Sequence, residues 1–450
     1  MTDIRDLRRR ELLLGGALFA LFRPSKTLQA EPAGREIDMP RYEQDYPLVR
    51  YSGMATQNRI WRLRQRLASG QQVLSWEQKG GYVRSLLEAL EIGNDSQVVV
   101  FSPSSLQAAL ITEKTPRALY FNDDTYVGYI PGSGHVELTS VDADLGPVFY
   151  ALDNVREQPP TVTRYGGTCL ICHDTFTMTG GGVPRILAMS LPVEHATDTR
   201  RNDETIDVDD RTPIEQRWGG WYVTGGHGAQ THLGNLPLRG HAGARTWPAA
   251  QPDRQSLTDY FDTSNYFADT SDIVALMVME HQKFVQNEIT RLSFKIRNAL
   301  PQSGAQSSLP TRWADLGARQ QLALKKMVSS LVRALLMLDA APLRDRVVPS
   351  SGFARRFSQL GPRDSKGRSL RELDLETRLF RYPLSYLVYS EAFNALPALA
   401  LDIVRDEISN ILRGIDPTGV AARVSASDRK DVIDILSETK PGFLKKTDRA

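Results

Sequence analysis

The chain contains only two cysteines, three residues apart, and a histidine follows the second directly: Thr168-Cys169-Leu170-Ile171-Cys172-His173. No other feature limits the chain so tightly. Two thiols at this spacing can close a disulfide, work as a redox pair, join a metal site, or add across the two vinyl groups of a haem. The last option accounts for all three residues. The Cys-x-x-Cys separation matches the distance between the vinyls, and the adjacent imidazole is placed to reach the iron. In a chain of 450 residues with seven histidines, chance would produce this string roughly once in ten thousand sequences. Zinc would need further ligands, and no second cysteine pair exists. A thioredoxin-like pair opens a helix after a strand in a βαβ context, whereas the approach Arg164-Tyr165-Gly166-Gly167 reads as loop. The expectation is one covalent haem c, attached through Cys169 and Cys172, with His173 as the proximal axial ligand of its iron.

The first thirty residues point to export. Arg8, Arg9 and Arg10 precede an apolar run from Leu12 to Phe22, and Leu28-Gln29-Ala30 offers a small residue before Glu31. This is the order of a cleavable secretory signal, and Arg9-Arg10-Glu11-Leu12-Leu13 also fits a twin-arginine signal. The expected location is the periplasm, the compartment in which haem is attached to such motifs. The formal charge of +2 belongs to this segment: its six basic and three acidic residues leave the remainder at −1. A near-neutral chain gives no electrostatic support to a nucleic-acid partner. No later stretch has the apolar length of a membrane span.

Residues 31–157 carry helical periodicity at Ile60, Leu63 and Leu67 and again at Val83, Leu86, Leu87 and Leu90. Short β-rich runs follow at 98–101, 118–121, 126–130, 136–138 and 148–151, separated by Gly and Asp turns. Residues 158–255 hold the motif and are rich in Gly, Pro, Asp and Arg, with short strands near Ile186–Met189 and Trp221–Val223. Residues 256–450 are mostly helical, with patterns over 271–299, 312–339, 384–394, 396–413 and 428–438 and a basic loop over 345–372. The fold class expected is α+β: a small, mostly antiparallel sheet region, a loop-rich haem region and a helical C-terminal half.

Three stretches together resemble a group of large single-haem bacterial proteins described as cytochrome c domain proteins: Tyr120-Phe121-Asn122-Asp123-Asp124-Thr125-Tyr126-Val127-Gly128-Tyr129, the Cys-x-x-Cys-His string, and Arg217-Trp218-Gly219-Gly220-Trp221-Tyr222-Val223-Thr224-Gly225-Gly226-His227-Gly228. The likeness covers roughly residues 95–290 and implies a haem, without implying a substrate. The chain departs from the small class I cytochromes c, whose second axial ligand is a methionine some tens of residues downstream. Between Met189 and Met277 there is no methionine.

Candidates for the distal position are His227, whose flanking glycines let the backbone approach a flat macrocycle, and His232, His281, Met178 and Met189. His281 shares a helical stripe with Val274, Val278 and Val285, so it is expected to face the core. His135, His195 and His241 fall in polar loops. Arg217 and Glu215 read as surface charges, or as acid–base partners at an open haem. Asp207-Val208-Asp209-Asp210 reads as a solvated turn. The leading functional expectation is a periplasmic monohaem c-type cytochrome that passes single electrons to a redox partner protein. The alternative is a haem-dependent oxidoreductase, peroxidase-like or acting on a small molecule, for which the chain's size argues.

Overall fold

Short β-branched and aromatic runs punctuated by Asn, Asp and Gly turns assemble as an antiparallel meander. The structure, a computed structural model, describes residues 49–156, 160–174, 183–193, 205–238, 252–298, 314, 316–415 and 419–445. The expected export signal lies outside these residues. The fold is α+β with a helical C-terminal half, and the described residues fall within one contact-continuous unit, Asp38–Ala450.

Among the described residues two helices come first, α1 (Arg59–Ala68) and α2 (Val83–Ala89). The meander runs β1 (Val98–Val100), β2 (Arg117–Phe121), β3 (Thr125–Tyr129), β4 (His135–Asp142), β5 (Gly146–Asp153) and β6 (Val162–Tyr165). A further strand, β9 (Trp221–Tyr222), pairs with the outer side of β1, giving the order β6-β5-β4-β3-β2-β1-β9 with every pairing antiparallel. The five β-rich runs of the sequence are β1 to β5. β9 comes from the region that carries the motif, so that region and the N-terminal one share a sheet.

Turn chemistry fixes the register. The Asn122 side chain accepts from the backbone of Thr125 at 3.1 Å at the β2–β3 turn, and Asp142 accepts from Asp144 and Leu145 at the β4–β5 turn. Gly146 then starts β5 at φ +66, and a side chain there would collide with Thr290 of the central helix.

Alternation gives the sheet two different faces. On one, Val99, Tyr120, Val127, Val136, Leu138, Val148 and Leu152 are buried together with Ile60 and Leu63 of α1 and Val83 and Leu86 of α2. On the other, Val98, Val100, Phe121, Tyr126, Val141 and Trp221 join the helical core.

The helical half contains α4 (Ile273–Asn298), α5 (Ala318–Leu335), α6 (Phe353–Gln359), α7 (Glu391–Asn394), α8 (Ala398–Arg413) and α9 (Ala426–Thr439). Between them and the sheet come α3 (Gly167–His173), β7 (Met189–Ser190) and β8 (Ile206–Asp207). α6 occupies part of the expected loop at 345–372. Its Phe353, Ala354 and Phe357 are buried, and this apolar face makes the helix despite its arginines. No helix among the described residues is long and apolar enough to cross a membrane.

α4 is about 39 Å long at 1.5 Å per residue and is buried on every side from Ile273 to Thr290. Asp272 starts it: Oδ1 accepts from Val274 and Ala275, while Oδ2 accepts from Ser350 and Ser351. One carboxylate therefore caps the helix and ties a distant loop to it.

Candidate functional site

The motif sits on α3, a two-turn helix at the surface. Leu170 is its only buried residue, while Ile171 is 63% exposed. Spacings of three and four residues put Cys169, Cys172 and His173 on one helical face. Cys169 is half-buried, Cys172 is exposed, and the two are not joined by a disulfide.

β6 leads into α3 with almost no loop, whereas the sequence reads as loop there. The reason is tertiary: Val162–Tyr165 pairs along β5, and the Gly166-Gly167 pair turns the chain into the helix at once. A strand followed by a Cys-x-x-Cys helix is shared with thioredoxin-like redox motifs, but two features separate this site from them. All strand pairings are antiparallel, so no βαβ unit exists among the described residues. Burial, with Glu137 nearby, pushes the Cys169 thiol up to about 12, the opposite of an activated redox thiolate.

His173 is held at both ends. Its Nδ1 lies 2.7 Å from the carbonyl oxygen of Arg185, and the Arg185 N–H returns a bond to the His173 carbonyl at 3.0 Å. A carbonyl only accepts, so Nδ1 carries the proton and Nε2 keeps its lone pair. The ring packs 4.5 Å from the Phe149 ring of β5. Burial pulls the His173 pKa down, keeping the ring neutral, which the Arg185 bond and the nearby Glu137 and Asp207 oppose. A neutral imidazole with one nitrogen donating to a carbonyl has the form of a metal ligand. Two unpaired thiols and this oriented imidazole on one helical face fit a covalent haem c, which Cys169 and Cys172 would hold and His173 would ligate.

The distal candidates are placed as follows. His227 lies in the loop after β9, with Nδ1 2.5 Å from the Gln230 carbonyl and Nε2 3.5 Å from Asp253 Oδ1. Its ring meets His232 edge-on at 4.8 Å, and His232 meets Trp218 at 5.1 Å. Burial pushes His232 down to about 3. None of these contacts is shared with His173. Five strand spacings, about 24 Å, separate β5, beneath His173, from β9. Met189 is placed differently: it pairs with Asp207 across β7–β8, and Asp207 is one of the charges acting on His173. His281 is fully buried with both nitrogens engaged, Nδ1 at 2.6 Å from Asp210 Oδ2 and Nε2 at 2.8 Å from Ser385 Oγ. No nitrogen of His281 is left for iron. His135 opens β4 and lies 3.2 Å from Asp153. Met178, His195 and His241 lie outside the described residues.

Two sequence expectations are corrected here. Arg217 is 4% exposed rather than a surface charge. Its Nη1 bonds Glu280 at 2.7 Å, and its other nitrogens reach the carbonyls of Thr212 and Asp210. The Asp207–Asp210 segment is not a solvated turn: Asp209 and Asp210 are buried, and Asp207 pairs with the fully buried Lys283. The physical reason is the same in both cases. α4 presents charged side chains inward, and a buried charge requires a partner. Trp218 adds an N–H bond to Glu280 at 2.6 Å, yet burial still pushes the Glu280 carboxyl up to about 7 against the opposing Arg217. Sequence reasoning did not single out Glu280 or Ser385, and it gave Asp210 only as part of a solvated turn. The available signal was the polar run Glu280-His281-Gln282-Lys283 inside a helix with apolar residues on all sides.

No protein-family model matches this chain, and comparison with curated proteins and with solved structures likewise finds no match.

Proposed function

We propose that this protein is an exported monohaem c-type cytochrome that exchanges single electrons with a partner protein. The observation that carries the reading is the hydrogen bond from His173 Nδ1 to the Arg185 carbonyl at 2.7 Å, because it orients Nε2 as a ligand within a Cys-x-x-Cys-His string. A bound haem supplies reversible one-electron chemistry. Cys169 and Cys172 tether it, His173 orients it, and Phe149 restrains the imidazole by ring packing. The surface position of α3, with Ile171 and Cys172 exposed, suits electron exchange with a docked protein. The resemblance to large single-haem cytochrome c domain proteins and the N-terminal export pattern support the same reading.

A reduced pyridine haemochrome spectrum with denaturing mass measurement tests it. One covalent haem per periplasmically expressed chain is expected. An unmodified chain, with thiols that still titrate, would remove the proposal. A haem-dependent oxidoreductase is the second reading, favoured by the buried Arg217–Glu280 pair and the polar interior of α4. Turnover of a reducing dye with peroxide separates the two, since an electron carrier with a closed iron is inert in that assay.

A further inference from the structure

Beside the buried network lies a cavity of about 200 Å³. It is formed by the chain just beyond α5, the 377–383 segment and the N-terminal part of α4. Met277, Leu336, Leu338 and Phe380 give it apolar walls, and Asp210 and His281 a polar one. A smaller cavity of about 100 Å³ shares Asp210, Met337 and Ala340 with it.

Two features mark the larger cavity as a built site. The first is Asp210, more than nine-tenths buried. Its Oδ2 is bonded to His281, while its Oδ1 receives no hydrogen bond from the described residues. That oxygen is not sealed off among the buried, unpartnered atoms, so a donor in the cavity can reach it. The second is Met337. α5 ends with Met337 N–H bonded to Ala334 and Leu338 N–H to Arg333, a termination that places Met337 in the left-handed region at φ +51. Glycine is the unstrained residue there. The backbone alone gives no reason for a methionine, whereas the cavity does: Met337 lines both spaces, and its side chain is flexible and apolar.

The lining also selects a ligand class. Engineered apolar cavities of about 150 Å³ take up benzene, so about 200 Å³ accommodates one ring with small substituents. The cationic residues around the cavity are already matched: Arg217 by Glu280, Arg378 by Asp428, and Arg423 by Asp339. An anionic ligand would therefore meet Asp210 without a compensating charge, whereas a neutral hydroxyl can donate to it. We propose that this cavity binds a small phenol-class molecule, its ring among Met277, Leu336, Leu338 and Phe380 and its hydroxyl donating to Asp210. The site does not depend on the haem reading.

The test is binding of phenol, toluene and benzoate to the purified full chain, followed by ligand-observed NMR. Saturable phenol binding is expected, with toluene about tenfold weaker or more because it lacks the donor, and no benzoate binding. Ala341→Leu, which fills the cavity, should weaken phenol about tenfold or more at unchanged Tm. Met337→Gly should keep or raise Tm while weakening phenol. If Ala341→Leu does not fold, the Met337→Gly result decides. Absence of saturable phenol binding, toluene binding as tightly as phenol, or phenol affinity unchanged in the folded variants would overturn the proposal.

Discussion

α3 and α4 solve opposite problems. α3 is seven residues long, buries one leucine and lies at the surface, and its chemistry is contained in its own spacing and one carbonyl contact. α4 is twenty-six residues long and buried on all sides through most of its length. Its polar run is matched from remote segments: Glu280 by Arg217, His281 by Asp210 and Ser385, and Gln282 by Asn122 and Tyr386. Local motifs of the first kind can change with little effect on the fold. Networks of the second kind cannot, because removing one partner strands the other away from water.

The sharpest way to break this contrast is at the motif. Cys169→Ala with Cys172→Ala should abolish covalent haem entirely, read as loss of the pyridine haemochrome band, while the far-ultraviolet circular dichroism stays native. Collapse of the fold in that variant would show that α3 is not a local device. At α4 the expectation reverses. Arg217→Ala leaves Glu280 buried without its cation and should cost about 3–5 kcal/mol in urea unfolding. A change below about 1 kcal/mol, the scale of a surface pair, would dissolve the distinction.

The acidity of Glu280 gives a third, somewhat smaller effect. Its folded value of about 7 lies above its ordinary 4.5. The unfolded chain therefore releases that proton first, and stability is lost as pH rises from about 4.5 to about 7. The loss is about 3 kcal/mol at most. Glu280→Gln should flatten that slope in denaturant titrations across this pH window, and an unchanged slope would assign it to other groups. Last, Asp272→Ala removes the α4 cap and the clamp on Ser350 and Ser351, and should cost about 2 kcal/mol. A thermal shift confined to fraying, with no loss in midpoint, would mean the cap is redundant.

The strands were legible because each is a short β-rich run between turn residues whose side chains make the turn, as Asn122 and Asp142 do. The long helices were legible from apolar spacing, α4 and α8 above all. The abrupt entry from β6 into α3 was not, since Gly166-Gly167 reads as a break and only the edge of β5 recruits Val162–Tyr165. Nor was α6, whose arginines hide an apolar face that exists only against the helical core.

Within the candidate site the division is similar. Cys169, Cys172 and His173, on which the haem proposal rests, are written in five consecutive residues. The carbonyl that orients His173 belongs to Arg185, twelve residues on. The partners of His281 stand 71 and 104 residues away, beyond any pattern a single sequence displays.

The Cys-x-x-Cys-His string, the class of fold and the helical character of the C-terminal half could be read before any folding, because each rests on local spacing and periodicity. That Arg217 and Asp210 are interior, that His281 is bonded at both nitrogens, and that His173 donates through Nδ1 emerged with the packed chain alone. Burial and partner choice depend on which remote segments pack together, and that follows from closing the whole chain around α4.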